Sequence, residues 1–211
     1  MKRIALAIGV IAASAFFVGL ALDLHLLRIV TKPWPVLALM VWVLKHGRWP
    51  YARYIAVGLG LSAVGDVLLE ISEQTFLPGV GAFLLAHVAY IAAFIGQTRR
   101  PALWWALPFG AWGIVVVTWL KPGLQVAGML LPVSIYTAVI CSMLWRAAAC
   151  LGAEVPLARM AFTGALLFAA SDTLIAISRF SDVDILGVRW WIMILYWLGQ
   201  GLIASSARAD Q

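Results

Sequence analysis

Three features of this 211-residue chain predict an all-α polytopic membrane protein with eight transmembrane helices. The first is composition: 64% of residues are hydrophobic and 11% charged, with a mean hydropathy of +0.99, so most of the surface has to be solvated by lipid. The second is a succession of apolar stretches near the roughly 20 residues that cross a bilayer as a helix. The third is a pair of aspartates, Asp66 and Asp172, near the ends of two such stretches. An ionised carboxylate is costly there and marks a functional site by default.

In chain order, Ile4–Leu22 follows a basic Met-Lys-Arg start and is read as a retained helix, because an even number of spans fits the charge distribution below. Pro33–Leu44 is short and opens on a proline, which the first turn of a helix tolerates. Tyr51–Ile71 carries Asp66, and Pro78–Gln97 carries His87. Ala102–Leu120 and Leu124–Ala149 follow, separated at Lys121-Pro122-Gly123. Pro156–Ile177 carries Asp172, and Val188–Ala207 ends the series. Together they form a single transmembrane domain over 1–211.

The windows Leu61–Ser72 and Leu167–Ser178 align without a gap and coincide at Leu, Ala, Asp, Leu, Ile and Ser. Shared apolar residues follow from composition alone, whereas a shared intramembrane aspartate does not. The match therefore points to duplication of a four-helix unit, with halves of about 1–100 and 101–211.

Eight spans place Lys2, Arg3, Lys45, Arg48, Arg53, Arg99, Arg100, Arg146, Arg159 and Arg208 on one side, and Arg28, Lys32, Lys121, Arg179 and Arg189 on the other. The richer side is the cytoplasmic one, which puts both termini there. Only Glu154 and Asp210 among the acidic residues lie on that side. The net charge of +6 thus reflects topology and not nucleic-acid binding. Short loops and the lack of a targeting signal suit a bacterial inner membrane.

Cys141 and Cys150 show no metal-ligand spacing and read as reduced packing residues. No phosphate-binding glycine loop, serine-hydrolase elbow or zincin pair occurs, so no metal and no cofactor is expected. The tryptophans mostly flank predicted segment ends, as interfacial belts do.

The polar residues converge by topology. The third and seventh segments run outward, which gives Asp66 and Asp172 similar depth in the extracytoplasmic half. The fourth runs inward, placing His87 roughly 13 Å below its start, in the same half. Lys32, at the outer start of the second segment, reaches that layer on its flexible stem. Ser62, Asp66 and Glu70 share one helix face, as do Phe83, His87 and Tyr90. Other readings stay open at this point: Lys32, Arg28 and Arg179 fit interfacial anchors, Glu70 and Glu73 a solvated helix end, and His87 an interhelical hydrogen bond.

Several short motifs occur in a set order: Lys32-Pro33, Gly65-Asp66-x-x-Leu69, Phe83-x-x-x-His87-x-x-Tyr90, Ser171-Asp172-x-x-Ile175, and Tyr196-Trp197-x-Gly199-Gln200. In this order and spacing the chain resembles the YhhN/TMEM86 family over nearly its whole length. The resemblance implies hydrolysis of the vinyl ether bond of a lysoplasmalogen, giving a fatty aldehyde and glycerophosphoethanolamine or glycerophosphocholine. The implied partners are a lysophospholipid substrate and the surrounding membrane lipids.

Vinyl ethers resist base and open under acid. A proton reaches the β-carbon, and positive charge spreads onto the ether oxygen. Two carboxyl groups close together in a low-dielectric site divide naturally into an acid and a base, as in glycosidases. Asp66 and Asp172 are therefore the expected catalytic pair, with Lys32, His87, Glu70, Tyr90, Ser171 and Gln200 as the expected substrate-binding groups. The main alternative is a proton-coupled transporter, since repeated halves with one carboxylate each also suit alternating access. An intramembrane aspartyl protease would want Gly-x-Gly-Asp where Ala63-Val64-Gly65-Asp66 stands.

Overall fold

The computed structural model describes residues 2–208, so the charge assigned above to Asp210 lies outside the described residues. Everything described is helix or short connection apart from one isolated bridge, Gly47 to Arg208. The α-helices are α1 (Lys2–Ala21), α2 (His25–Thr31), α3 (Trp34–His46), α4 (Tyr51–Ile71), α5 (Phe76–Gln97), α6 (Ala106–Val126), α7 (Leu130–Gly152), α8 (Ala158–Phe180) and α9 (Val188–Ser206). Lipid cannot satisfy backbone N–H and C=O groups, so apolar runs of this length close all their hydrogen bonds internally, as helices do.

Among the described residues six helical stretches are long and apolar enough to cross a membrane: His25–His46, Tyr51–Ile71, Glu73–Gln97, Leu103–Val126, Leu130–Gly152 and Ala158–Phe180. Ala7–Ala21 is a shorter apolar stretch, and Arg189 and Gln200 dilute α9. Two boundaries differ from the sequence expectation. The second segment starts at His25, so Lys32 lies within a helical stretch and not at its outer start. The reason is charge pairing that hydropathy cannot see, described below. The fifth runs on through Lys121 and Pro122 to Val126. Gly123 permits this, because its missing side chain lets α6 pass directly over the Phe180 carbonyl at the end of α8.

The chain divides into two compact units, one running through Ala93 and resuming at Ala204, the other Phe94–Ile203. In the first, α1 packs on α2 and α3, and α4 packs on α2 and α3. Ser72 and Thr75 cap one another across the α4–α5 turn, and Thr75 Oγ1 donates to Leu68 O at 2.6 Å. That tight turn folds α5 back along α4, where glycines allow close approach. A Cβ on Gly65 would lie 2.6 Å from the Phe83 ring, and one on Gly58 would collide with Tyr90. Beyond α9, Ala207 O accepts from Arg48 N at 2.8 Å, and the Ser206 and Tyr51 hydroxyls are bonded at 2.8 Å.

In the second unit α7 packs between α6 and α8. Cys141 Sγ donates to Phe109 O at 3.1 Å and Cys150 Sγ to Phe94 O at 3.6 Å, and neither is in a disulfide. Helices α8 and α9 meet at Gly164 and Gly199, where a Cβ on either would lie within 2.8 Å of the other's carbonyl.

Burial is inside out relative to a water-soluble protein. Ile114, Val115 and Leu107 on α6 are 64–69% exposed, whereas Arg28, Lys32, Asp66, Glu70, His87, Asp172 and Gln200 are buried. Lipid solvates the first set without penalty, and the second is tolerated only because its members have polar partners.

Candidate active site

In the first unit the polar residues build around Glu70. His25, Arg28 and Lys32 recur along one face of the helical stretch, and all three engage that residue. His25 Nε2 donates at 2.7 Å to the Glu70 backbone carbonyl in the last turn of α4. Arg28 Nε donates to Glu70 Oε1 at 2.9 Å, and Lys32 Nζ to Oε2 at 3.0 Å. Arg28 Nη1 also donates to Asp23 Oδ1 at 2.7 Å. The Arg28, Lys32 and Glu70 side chains are at most 10% exposed, whereas that of Asp23 is 94% exposed. Glu70 is therefore not a solvated helix end, nor is Arg28 an interfacial anchor: each is half of a buried ion pair. Breaking such a pair by removing one partner costs about 3–5 kcal/mol.

Asp66 lies one turn before Glu70 on the same face of α4 and is 1% exposed. Ser62, a further turn back, is also buried. Beside this face, Gly58 and Gly65 of α4 lie against Tyr90 and Phe83 of α5, and His87 and Tyr90 are fully enclosed. His87 Nδ1 lies 2.7 Å from Phe83 O. A carbonyl only accepts, so Nδ1 carries the proton, and Nε2 is the acceptor of the neutral ring. The glycine of the Gly-Asp pair thus has a mechanical meaning: it lets the Phe-His-Tyr face of α5 approach α4 beside Asp66.

In the second unit Asp172 is 9% exposed, and its Oδ2 accepts from the Tyr136 hydroxyl on α7 at 2.8 Å. The neighbouring Ser171 Oγ donates to Ile192 O at 2.9 Å, so this hydroxyl ties α8 to α9 and orients the turn that bears Asp172. Tyr196 packs edge-on against Phe168 at 5.4 Å, and Gln200 is fully buried one residue past the Gly199 contact. Two cavities of about 580 and 570 Å³ in this unit have apolar linings that include none of the expected site residues.

The structure joins Lys32 to Glu70, sets Asp66 one turn away, and places Ser171 at the base of Asp172. Sequence reasoning missed Asp23 and Tyr136 and undervalued Arg28. The available signals were the Arg28/Lys32 spacing of four and a tyrosine in the middle of an apolar helix. Among the described residues no group of three or more His, Cys, Asp or Glu is placed to hold a metal ion.

Buried carboxyl, imidazole and ammonium groups on apolar helices define an integral membrane protein with an intramembrane polar site. The YhhN family model matches residues 27–207, and the chain belongs to that family. It is 34% identical over 177 residues to human lysoplasmalogenase TMEM86B and 36% identical over 183 residues to human lysoplasmalogenase TMEM86A. Each alignment covers 82% of this chain, and 72% and 75% of the respective human protein. It is also 37% identical over 137 residues to a lysoplasmalogenase of Mycobacterium bovis, covering 61% of this chain and 50% of that protein. The chain thus spans half the length of its mycobacterial relatives. No solved structure is significantly similar to it.

Proposed function

We propose that this chain is a lysoplasmalogenase-type ether hydrolase, acting on the sn-1 vinyl ether of 1-alkenyl lysophosphatidylethanolamine or lysophosphatidylcholine. The observation that carries the reading is a buried aspartate in each of two apolar helices, in a chain aligned over 82% of its length with enzymes named for this activity.

One aspartic acid donates its proton to the vinyl β-carbon, and the α-carbon and ether oxygen share the resulting positive charge. The other carboxylate stabilises that cation and takes a proton from the water that adds to the α-carbon. The hemiacetal then collapses to a fatty aldehyde and the glycerophospho-alcohol, its hydroxyl proton passing to the departing oxygen, and the proton that water left on the second carboxyl is released to solvent as the acid takes one up, which resets both groups. Positioned acid–base help of this kind contributes about 10²–10⁴-fold.

Asp172, bonded to a neutral hydroxyl, suits the acid. Asp66, one turn from Glu70, which holds two buried cations, suits the carboxylate. Tyr136 is a positioning residue: it occupies Oδ2, so the transferred proton is the one on Oδ1. His87 Nε2 orients the water or accepts from the sn-2 hydroxyl. Lys32 faces the phosphate, while Tyr90, Ser171 and Gln200 shape the site. The topology that goes with this reading has eight crossings in two duplicated halves, both termini cytoplasmic, in a bacterial inner membrane. The site faces outward, where a single-chain lipid presents its head group.

The test is aldehyde release by detergent-purified protein in D₂O, with EDTA in parallel. The reading expects metal-independent aldehyde carrying one deuterium at carbon 2. Aldehyde without that label would refute protonation at the β-carbon, and no aldehyde from folded protein would refute the activity.

A further inference from the structure

The cavity of about 570 Å³ in the second unit lies between α6 and α8, with Leu144 of α7 and Leu195 of α9 completing its wall. That size is within the range of small-ligand sites, roughly 300–1,000 Å³. The wall carries no charged residue, and its Thr173 hydroxyl is turned back onto α8, where it donates to Ala169 O at 2.7 Å. Such a surface suits an alkyl chain and offers a charged head group no counter-charge. Leu166 is 38% exposed and Ala170 is exposed as well, so the groove opens sideways to lipid.

The groove begins at Asp172. Ala169 stands three residues before that aspartate and Thr173 directly after it, so the turn of α8 that bears the carboxyl also forms the rim. From there the α8 wall runs back to Leu166, six residues or roughly 9 Å nearer the start of the helix. On α6, which starts at the same end as α8, the wall is built by Phe109 and Trp112 in the first two turns. The groove therefore leads from Asp172 away from the α8–α9 connection. The other cavity, of about 580 Å³, is lined on α7 by Ser134, Ala138 and Ser142, whereas Tyr136 falls on the opposite side of that helix. It lies on the far side of α7 from the Asp172 carboxyl that Tyr136 holds.

We propose that the α6–α8 groove holds the alkenyl chain of the substrate, and that Leu166 at its inner end limits the length of chain it encloses. With the vinyl carbons at Asp172, the chain leaves in the direction opposite to the head group, which is the direction the groove takes. An all-trans chain advances roughly 1.25 Å per carbon, so roughly 9 Å of groove encloses about seven carbons. Lipid is as apolar as the groove, so shape and not hydrophobicity decides the fit. This inference rests on the hydrolase reading and places the apolar half of its substrate.

The test has two arms. In the first, protein in phosphatidylcholine vesicles is irradiated with a saturated 1-alkyl lysophosphatidylethanolamine, which it cannot turn over, carrying a diazirine at carbon 7. Adducts are expected in segments 108–112 and 166–174, lost on adding excess unlabelled 1-alkyl lysolipid and kept on adding diacyl phosphatidylethanolamine. Adducts spread over the lipid-facing helices, or indifferent to the lysolipid, would reveal an ordinary annular lipid and overturn the proposal. The second arm reads the ratio of kcat/KM for hexadecenyl over hexenyl lysophosphatidylethanolamine. It should fall about tenfold in Leu166→Trp, whose indole fills the inner end, and stay within about twofold in Ile114→Trp, a 69% exposed residue lining the other cavity. An unchanged ratio in Leu166→Trp, or an equal fall in Ile114→Trp, would overturn the length limit at Leu166. Competable labelling of the groove in a protein that releases no aldehyde would retain the chain site and remove the hydrolase reading instead.

Discussion

At the scale of single residues, the chain puts polar side chains where hydropathy says they should not be and then supplies each with a partner. Asp66 and Asp172 were legible because a carboxylate in an apolar run is conspicuous in any sequence. Their surroundings were not. The bond from Tyr136 to Asp172 links residues 36 apart, and Arg28 reaches Glu70 across 42 positions, distances at which a sequence gives no contact information. Tyr136→Phe removes the hydroxyl and leaves the ring, so it should lower kcat about tenfold and, because a buried acceptor on Asp172 loses its donor, cost about 1–3 kcal/mol of stability. Glu70→Ala should act chiefly on stability. It leaves two buried cations on one missing carboxylate and is expected to cost about 3–5 kcal/mol, read as loss of folded protein in a thermal unfolding series.

At the scale of helices, α4 and α5 owe their positions to glycine as much as to apolar residues. Gly65 stands directly before Asp66, and any side chain there meets the Phe83 ring. Gly65→Val should therefore destabilise by about 1–3 kcal/mol and lower activity by displacing α5 from Asp66. Adding Phe83→Leu should restore part of both losses; activity that stays lost once stability has returned would show that Phe83 itself matters at the site. Most helices could be placed from apolar runs alone, since lipid leaves the backbone no other arrangement. Two boundaries could not. Lys121-Pro122-Gly123 looks like a loop, yet α6 continues through it over the Phe180 carbonyl. Pro33 looks like the start of the second segment, yet the helical stretch begins at His25, with Arg28 and Lys32 paired to Glu70.

At the scale of the whole molecule, the polar residues gather within buried helix faces and the apolar ones remain outside, as a lipid-solvated chain requires. The charge distribution makes a separate prediction. A cysteine replacing Val183, in the α8–α9 connection, should react with a membrane-impermeant maleimide on intact cells, and one replacing Thr98 should react only after permeabilisation. The reverse pattern would invert the topology and move the site to the cytoplasmic side.

The central claim is that Asp66 and Asp172 carry the cleavage of a vinyl ether. Its most direct test is aldehyde release from 1-alkenyl lysophosphatidylethanolamine by wild type, Asp66→Asn and Asp172→Asn at matched folded concentrations. Wild type should turn over and each variant should fall by 10²-fold or more, about the contribution of a positioned acid or base. Activity within a few-fold of wild type in either variant would contradict the account by removing that aspartate from the chemistry.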